Sequence, residues 1–204
     1  MHSPSAFWEP WNVAVFQCMH ATAASPTALI AVAVVLAEWP LFVAVGLTGW
    51  QLLRRRDRIG VIRAIAACVV AILIEALVSA FAFNPRPFAA GFGPAWVMHE
   101  ANNSMPSTHV TLTLVMAITL AMRKQRWASA VVVVLAVVLA WARVYVGIHW
   151  PADMVGAKPH QPLKAAPARL ELTGFIRGEL YALLQSTERL RGTYAIGVRN
   201  KHLE

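Results

Sequence analysis

Long apolar stretches alternate with short charged clusters along this chain, and that alternation predicts its elements. Thr27 to Leu53 is the first apolar run. At 1.5 Å of rise per residue it can cross about 30 Å of hydrocarbon with some tilt, and Pro40 is placed to kink it. Val61 to Phe83 is the second run, with Arg63 near its start and Glu75 inside it. Ser107 to Met122 is a third, shorter run that spans if its start is sunk below the membrane surface. Trp127 to Val146 is the fourth, almost all Val, Ala and Leu. Ahead of these, Trp8, Trp11, Val15 and Met19 recur at helical spacing, which suits a helix lying in the membrane interface. Met1 to Pro26 lacks a basic region before its apolar part and does not read as a signal peptide. The expected fold is all-α: a polytopic membrane bundle of about four clear spans plus an N-terminal interfacial helix.

Composition agrees. Of 204 residues, 58% are hydrophobic and 14% charged, against about 45–50% and about 25% in ordinary soluble domains. Disordered, coiled-coil and collagen-like chains are excluded, and a water-soluble globule does not fit. The net charge of +8 falls in clusters between apolar runs rather than on one polar face, so no nucleic-acid partner is expected. Arg54–Arg58 and Arg123–Arg126 are separated by two crossings and lie on one side, the cytoplasmic one by the positive-inside rule. The loop from Asn84 to Pro106 and the segment after Val146 then share the opposite face, with the N-terminal segment. Cys18 and Cys68 have no metal-ligand spacing, and Cys68 reads as a small buried hydrophobe. No metal and no cofactor is expected.

Three polar clusters share that opposite face: Asn84-Pro85-Arg86-Pro87-Phe88, Ser104-Met105-Pro106-Ser107-Thr108-His109, and Arg143 followed by His149 and Asp153. His149 and Asp153 are four apart and share a helical face, with Pro151 suited to a helix start between them. A carboxylate on one ring nitrogen fixes the tautomer and leaves the other nitrogen able to attack. Taken alone, the pair reads equally as a surface loop contact. The N–H groups of Ser107, Thr108 and His109 would be unpaired at a helix start, where they and the two hydroxyls can hold phosphate oxygens. His109 could protonate a leaving oxygen; a plain capped helix start is the other reading. Arg86 and Arg143 suit paired hydrogen bonds to phosphate, or snorkelling to headgroups. Glu75, His99 and Glu100 are left outside the site.

These residues resemble the type 2 phosphatidic acid phosphatase superfamily of membrane lipid phosphatases, whose pattern is Lys-x6-Arg-Pro, then Pro-Ser-x-His, then Ser-Arg-x5-His-x3-Asp. This chain has Arg86-Pro87, Pro106-Ser107-Thr108-His109, and Ala142-Arg143-x5-His149-x3-Asp153. The wording around them resembles the bacterial undecaprenyl-diphosphate phosphatase branch, from about Trp8 to Gly156. The resemblance implies a metal-independent phosphatase. His149 would form a phosphohistidine, Asp153 would orient it and His109 would protonate the leaving group. Arg86, Arg143, Ser107 and Thr108 would hold the phosphoryl. The implied substrate is a polyprenyl diphosphate lipid, and the implied place the bacterial inner membrane with the site facing the periplasm, recycling the carrier for cell-wall synthesis.

Three positions depart from the pattern. Ser79 stands where the first motif has lysine, and Ala142 where the third has serine. After the third motif the family continues into another membrane helix, replaced here by Ala157-Lys158-Pro159-His160-Gln161-Pro162. The sequence therefore divides into a phosphatase domain at 1–156 and an atypical basic, proline-containing tail at 157–204, with the last span disrupted, as a local change of reading frame would leave it. Three alternatives stay open at this point. The substrate could be phosphatidic acid or phosphatidylglycerol phosphate, or the chain could be a catalytically inactive membrane protein lacking the last helix.

Overall fold

The structure, a computed structural model, describes residues 10–81 and 84–155. Trp8 and the tail at 157–204, where the sequence predicts a disrupted last span, lie outside the described residues. The described residues form seven helices in order: α1 (Pro10–Met19), α2 (Thr27–Leu36), α3 (Trp39–Arg54), α4 (Arg58–Phe81), α5 (Thr108–Met122), α6 (Arg126–Tyr145) and α7 (Pro151–Val155). No strand forms among the described residues beyond one antiparallel bridge between Pro85 and Asn103.

The first apolar run is two helices, not one kinked helix. Pro40 has no N–H to give the carbonyl four residues back, and it sits in the first turn of α3, where proline fits. The Glu38 N–H bonds to Val35 O at 3.3 Å and the Leu41 N–H to Glu38 O at 3.2 Å. The Ala37 carbonyl, which Leu41 would take in a continuous helix, is thereby released from the ladder. Together α2 and α3 cover 28 residues, α4 has 24 and α6 has 20, each apolar and long enough to span. α5 has 15 residues, about 22 Å of helix, shorter than the roughly 30 Å hydrocarbon core.

α5 packs against α3, α4 and α6. Ala44, Ala117 and Ala128 are buried there with Leu120 and Val132; small residues let helix backbones approach closely in a membrane. Ser129 Oγ donates to Ala117 O at 2.8 Å, joining α6 to α5. The outer surfaces are apolar: Ile62, Val70 and Val137 are 65%, 54% and 62% exposed. In water such a surface would associate; in a bilayer it faces lipid. Cys68, expected in the core, is half-buried in α4, and Cys18 is exposed.

α1 does more than lie at an interface. Trp11 and Val15 face outward, but Asn12 and Phe16 are buried. Phe16 packs on Trp150, ring centroids 5.0 Å apart, and Asn12 Oδ1 accepts the Ala152 N–H at 2.9 Å. His20 Nε2 donates to Pro94 O at 2.9 Å. It lies against Gly147, whose φ is +83° and whose missing Cβ would fall 2.6 Å from the Pro94 carbonyl oxygen. Any other residue there would both strain the backbone and push Pro94 and its loop off the end of α6.

Candidate active site

The site is built where the loop from Asn84 to Pro106 meets the C-terminal end of α6. Arg143 lies in the last turn of α6, and His149 follows in the link to α7. α7 begins at Pro151, as the sequence predicts, and is a single turn. It sets Asp153 against His149 Nδ1 at 3.3 Å. The loop is tied across its base, the Ser104 N–H to Asn84 O at 2.8 Å and the Asn84 N–H to Asn103 Oδ1 at 2.7 Å. This brings the first and second polar clusters side by side beneath the third.

Arg86, His149 and Asp153 form one hydrogen-bonded chain. Arg86 donates through Nη1 to His149 Nε2 at 3.0 Å and to Ile148 O at 2.9 Å, and through Nε to Asn102 Oδ1 at 2.8 Å. A guanidinium can only donate, so Nε2 is the acceptor and carries the lone pair. The ring proton is then on Nδ1, donated to Asp153; the tautomer is assigned from these partners. His149 and Asp153 are each 2% exposed.

Asp153 is held from several sides. Its Oδ2 also accepts the Ser104 hydroxyl in a short hydrogen bond and the Trp150 N–H at 2.8 Å, and its Oδ1 accepts Asn84 Nδ2 at 3.3 Å. Burial pushes the Asp153 carboxyl up to about 6, against the lowering by Ser104, the Trp150 N–H, the Arg86 charge and Asn84. The carboxylate is therefore ionised at neutral pH and protonated in mild acid.

The remaining sequence-predicted residues are close in the chain to this network. Ser107 precedes α5 with φ −80° and ψ 107°, and its buried hydroxyl does not cap the helix. Thr108 is the first residue of α5 and half-buried; His109 is second and buried. Ser104, three residues before Ser107 in the chain, is the member of their cluster that bonds to Asp153. Arg143 does not snorkel to the surface. It is 2% exposed, and its Nη1 donates at 2.9 Å to Ala37 O, the carbonyl released at the α2–α3 break. The break that Pro40 imposes thus supplies an acceptor that anchors Arg143. His99 and Glu100 do not belong to the compact unit that holds the site.

Four positioning residues carried no role in the sequence reading. Asn84 and Ser104 sit inside the quoted clusters, and their adjacency to Arg86 and Pro106 was the available signal. Asn102 and Asn12 had none, because a polar residue in a loop or at an interface looks solvated until its partner is known.

The PAP2 superfamily profile matches residues 58–157, which contain all seven sequence-predicted site residues. YbjG of Escherichia coli (strain K12), whose undecaprenyl-diphosphatase assignment is provisional, is 33% identical over 152 residues, 72% of this chain and 76% of YbjG. Undecaprenyl-diphosphatase BcrC of Bacillus subtilis (strain 168) is 25% identical over 150 residues, 72% of this chain and 76% of BcrC. Among solved structures, Aquifex aeolicus LpxE superposes with a TM-score of 0.57 at 20% identity, over 74% of this chain and 90% of LpxE. The first transmembrane PAP2 type phosphatidylglycerolphosphate phosphatase from Bacillus subtilis gives 0.57 at 19% identity, over 75% and 82%. These two likenesses bear on the fold, which they share as a helical membrane bundle. The chain belongs to the PAP2 superfamily, on the branch that holds these undecaprenyl-diphosphatases, and is a membrane phosphatase.

Proposed function

We propose that this protein hydrolyses undecaprenyl diphosphate to undecaprenyl phosphate and phosphate, through a phosphohistidine on His149. The observation that carries the reading is the hydrogen-bonded chain Arg86–His149–Asp153, which leaves the His149 lone pair on Nε2, beside a guanidinium. In the substrate complex the terminal phosphate takes Nε2's place as acceptor for Arg86. Arg143, Ser107, Thr108 and the N–H groups at the start of α5 hold its other oxygens. Nε2 attacks phosphorus, and the P–O bond to the lipid-borne phosphate breaks. His109 gives its proton to that leaving oxygen. Nδ1–H stays on the ring, and Asp153 offsets the positive charge that develops there. Water, losing a proton to the now neutral His109, then attacks the phosphohistidine; the P–N bond breaks, and phosphate leaves with both histidines restored. Positioning and charge stabilisation supply most of the acceleration, as is general for phosphoryl transfer.

The names of the relatives support the polyprenyl diphosphate substrate. The side of the membrane is supported by charge: Arg54–Arg58 and Arg123–Arg126 lie at the ends of α3 and α5 away from His149, so the site opens to the periplasmic side of a bacterial inner membrane. There the product is the lipid carrier for cell-wall synthesis. The test is phosphate release by the purified protein from undecaprenyl diphosphate, phosphatidic acid and phosphatidylglycerol phosphate side by side. The undecaprenyl substrate is expected to give the highest kcat/KM. Preference for either glycerolipid would overturn the substrate, and no release from any would overturn the enzymatic reading.

A further inference from the structure

At the end of α5 away from His109, a second charged cleft is built from two helix ends. α3 closes with Arg55 as its cap and α5 with Arg123. Both close the same way. The Arg56 N–H bonds to Leu53 O at 2.9 Å and the Asp57 N–H to Leu52 O at 3.0 Å. The Lys124 N–H bonds to Ala121 O at 2.9 Å and the Gln125 N–H to Leu120 O at 2.9 Å. This is the Schellman closure, in which the residue after the cap turns into the left-handed region and is usually glycine. Here those residues are Arg56 at φ 53° and Lys124 at φ 58°. A side chain in that region costs free energy that glycine would not. Cations near a helix C-terminus gain from its dipole, but Arg55 and Arg123 already supply that charge without the strain.

The two turns are tied together. Asp57 Oδ1 accepts the Gly60 N–H at 2.9 Å, capping α4, and Oδ2 accepts Arg123 Nε in a short ion pair. The Arg123 guanidinium, with the Gly60 N–H second, holds the Asp57 carboxyl below its ordinary range, so it stays charged. Between the turns lies a cleft of about 510 Å³ lined by Arg55, Arg56, Asp57, Met122, Arg123 and Lys124, four cations against one carboxylate. Arg55, Arg56 and Lys124 are exposed. Trp50 and Trp127, 54% and 68% exposed, stand at the same end, and the Arg54 guanidinium lies 5.1 Å from the Trp50 ring. Tryptophans so placed mark headgroup depth, which puts the cleft level with lipid phosphates rather than in bulk water.

We propose that this cleft binds the phosphate headgroup of an anionic phospholipid from the leaflet opposite the His149 site, through Arg55, Arg56 and Lys124. The proposal uses none of the residues of the phosphatase site and stands whichever substrate that site takes. Cations at headgroup depth recognise a phosphodiester by charge-assisted hydrogen bonds, and the pairing of Asp57 with Arg123 holds the two turns together.

The test uses the full chain in nanodiscs of phosphatidylcholine carrying increasing phosphatidylglycerol, with retained lipid counted by native mass spectrometry. Arg56→Gly with Lys124→Gly removes two of the three proposed binding cations and installs the residue each turn favours, so the fold is kept or made more stable. Arg56→Gln with Lys124→Gln is the second variant. The wild type is expected to hold one phosphatidylglycerol about tenfold more tightly than phosphatidylcholine. Both variants are expected to lose that preference, with the glycine variant melting no lower than the wild type. Phosphatidylglycerol held at the His149 site would persist in the variants and so is distinguished. Equal retention by wild type and variants would overturn the proposal. Thermal protection by inorganic phosphate as strong as by phosphatidylglycerol would overturn the lipid assignment in favour of a soluble anion.

Discussion

At the Thr108 end of α5, Arg86, Arg143, His149 and Asp153 are each 3% exposed or less, while at its Met122 end Arg55, Arg56 and Lys124 stand exposed. The buried charges are bonded to named partners: Arg86 to three acceptors, Asp153 to four donors and Arg143 to a released carbonyl. A buried charge without such partners would cost several kcal/mol. The exposed ones need no such shell. The difference separates an end organised to hold groups within tenths of an ångström from an end organised to attract a charge. Substitutions should therefore have sharp, geometry-dependent effects at the first end and graded, charge-dependent effects at the second.

The largest effect is expected at His149. His149→Ala should lower phosphate release by about 10⁴-fold or more, and Asp153→Asn by about 10²–10⁴-fold, because the wrong tautomer is then favoured. Both should purify in normal yield. Wild-type turnover in His149→Ala would break the comparison outright. By contrast, the glycine pair at Arg56 and Lys124 should leave kcat within about twofold, a surface-scale effect.

Next comes Arg86. Arg86→Lys keeps the charge but cannot serve His149 Nε2, Ile148 O and Asn102 Oδ1 together. Loss of one or two charge-assisted bonds should reduce kcat/KM by about 10–100-fold. Normal kinetics in the Arg86→Lys variant would show that only charge matters at the buried end too, and would erase the distinction.

What was legible in the sequence follows the same division. The apolar runs announced the helices, because lipid-facing and core positions alike must be apolar and a span needs length. Arg86, Ser107, Thr108, His109, Arg143, His149 and Asp153 stood out by type and spacing, and all fall within the region matched by the family profile. The split of the first run was only half legible: Pro40 marked a kink, but the release of the Ala37 carbonyl depends on where Leu41 turns its N–H. Asn84 and Ser104 were marked only by adjacency to Arg86 and Pro106, and Asn12 and Asn102 not at all, because their partners are far away in the chain: Asp153 for Asn84 and Ser104, Ala152 for Asn12 and Arg86 for Asn102. No local period encodes such a pairing.

A smaller and more specific effect is expected from pH. The Asp153 carboxyl is raised from 3.8 to about 6, so it binds its proton more readily in the fold than in the unfolded chain. Stability from this group is present in acid and is lost as pH rises from about 4 through 6. Activity runs the other way, since the carboxylate must be ionised: kcat/KM should fall below an apparent pKa near 6 that belongs to the His149–Asp153 pair. Asp153→Asn should flatten the stability trend between pH 4 and 6 relative to wild type. An acid limb unchanged in that variant's residual activity would assign the titration to another group.

The smallest expected effect is at Pro40. Pro40→Ala restores an N–H and lets α2 and α3 join, so that Leu41 competes with Arg143 for the Ala37 carbonyl. KM should rise about 2–5-fold, the scale of one hydrogen bond, with kcat changed less. A fall in yield with unchanged KM would make the break a folding feature alone.

The proposed chemistry turns on His149 Nε2 taking the phosphoryl group. The direct measurement is rapid mixing of the purified enzyme with substrate labelled in its terminal phosphate, quenching into alkali within one turnover, and mapping the labelled peptide. Label is expected on the peptide containing His149, stable in alkali and lost in acid, and absent from His149→Ala. Label on any other residue, or full single-turnover phosphate release with no labelled protein at any time, would contradict it.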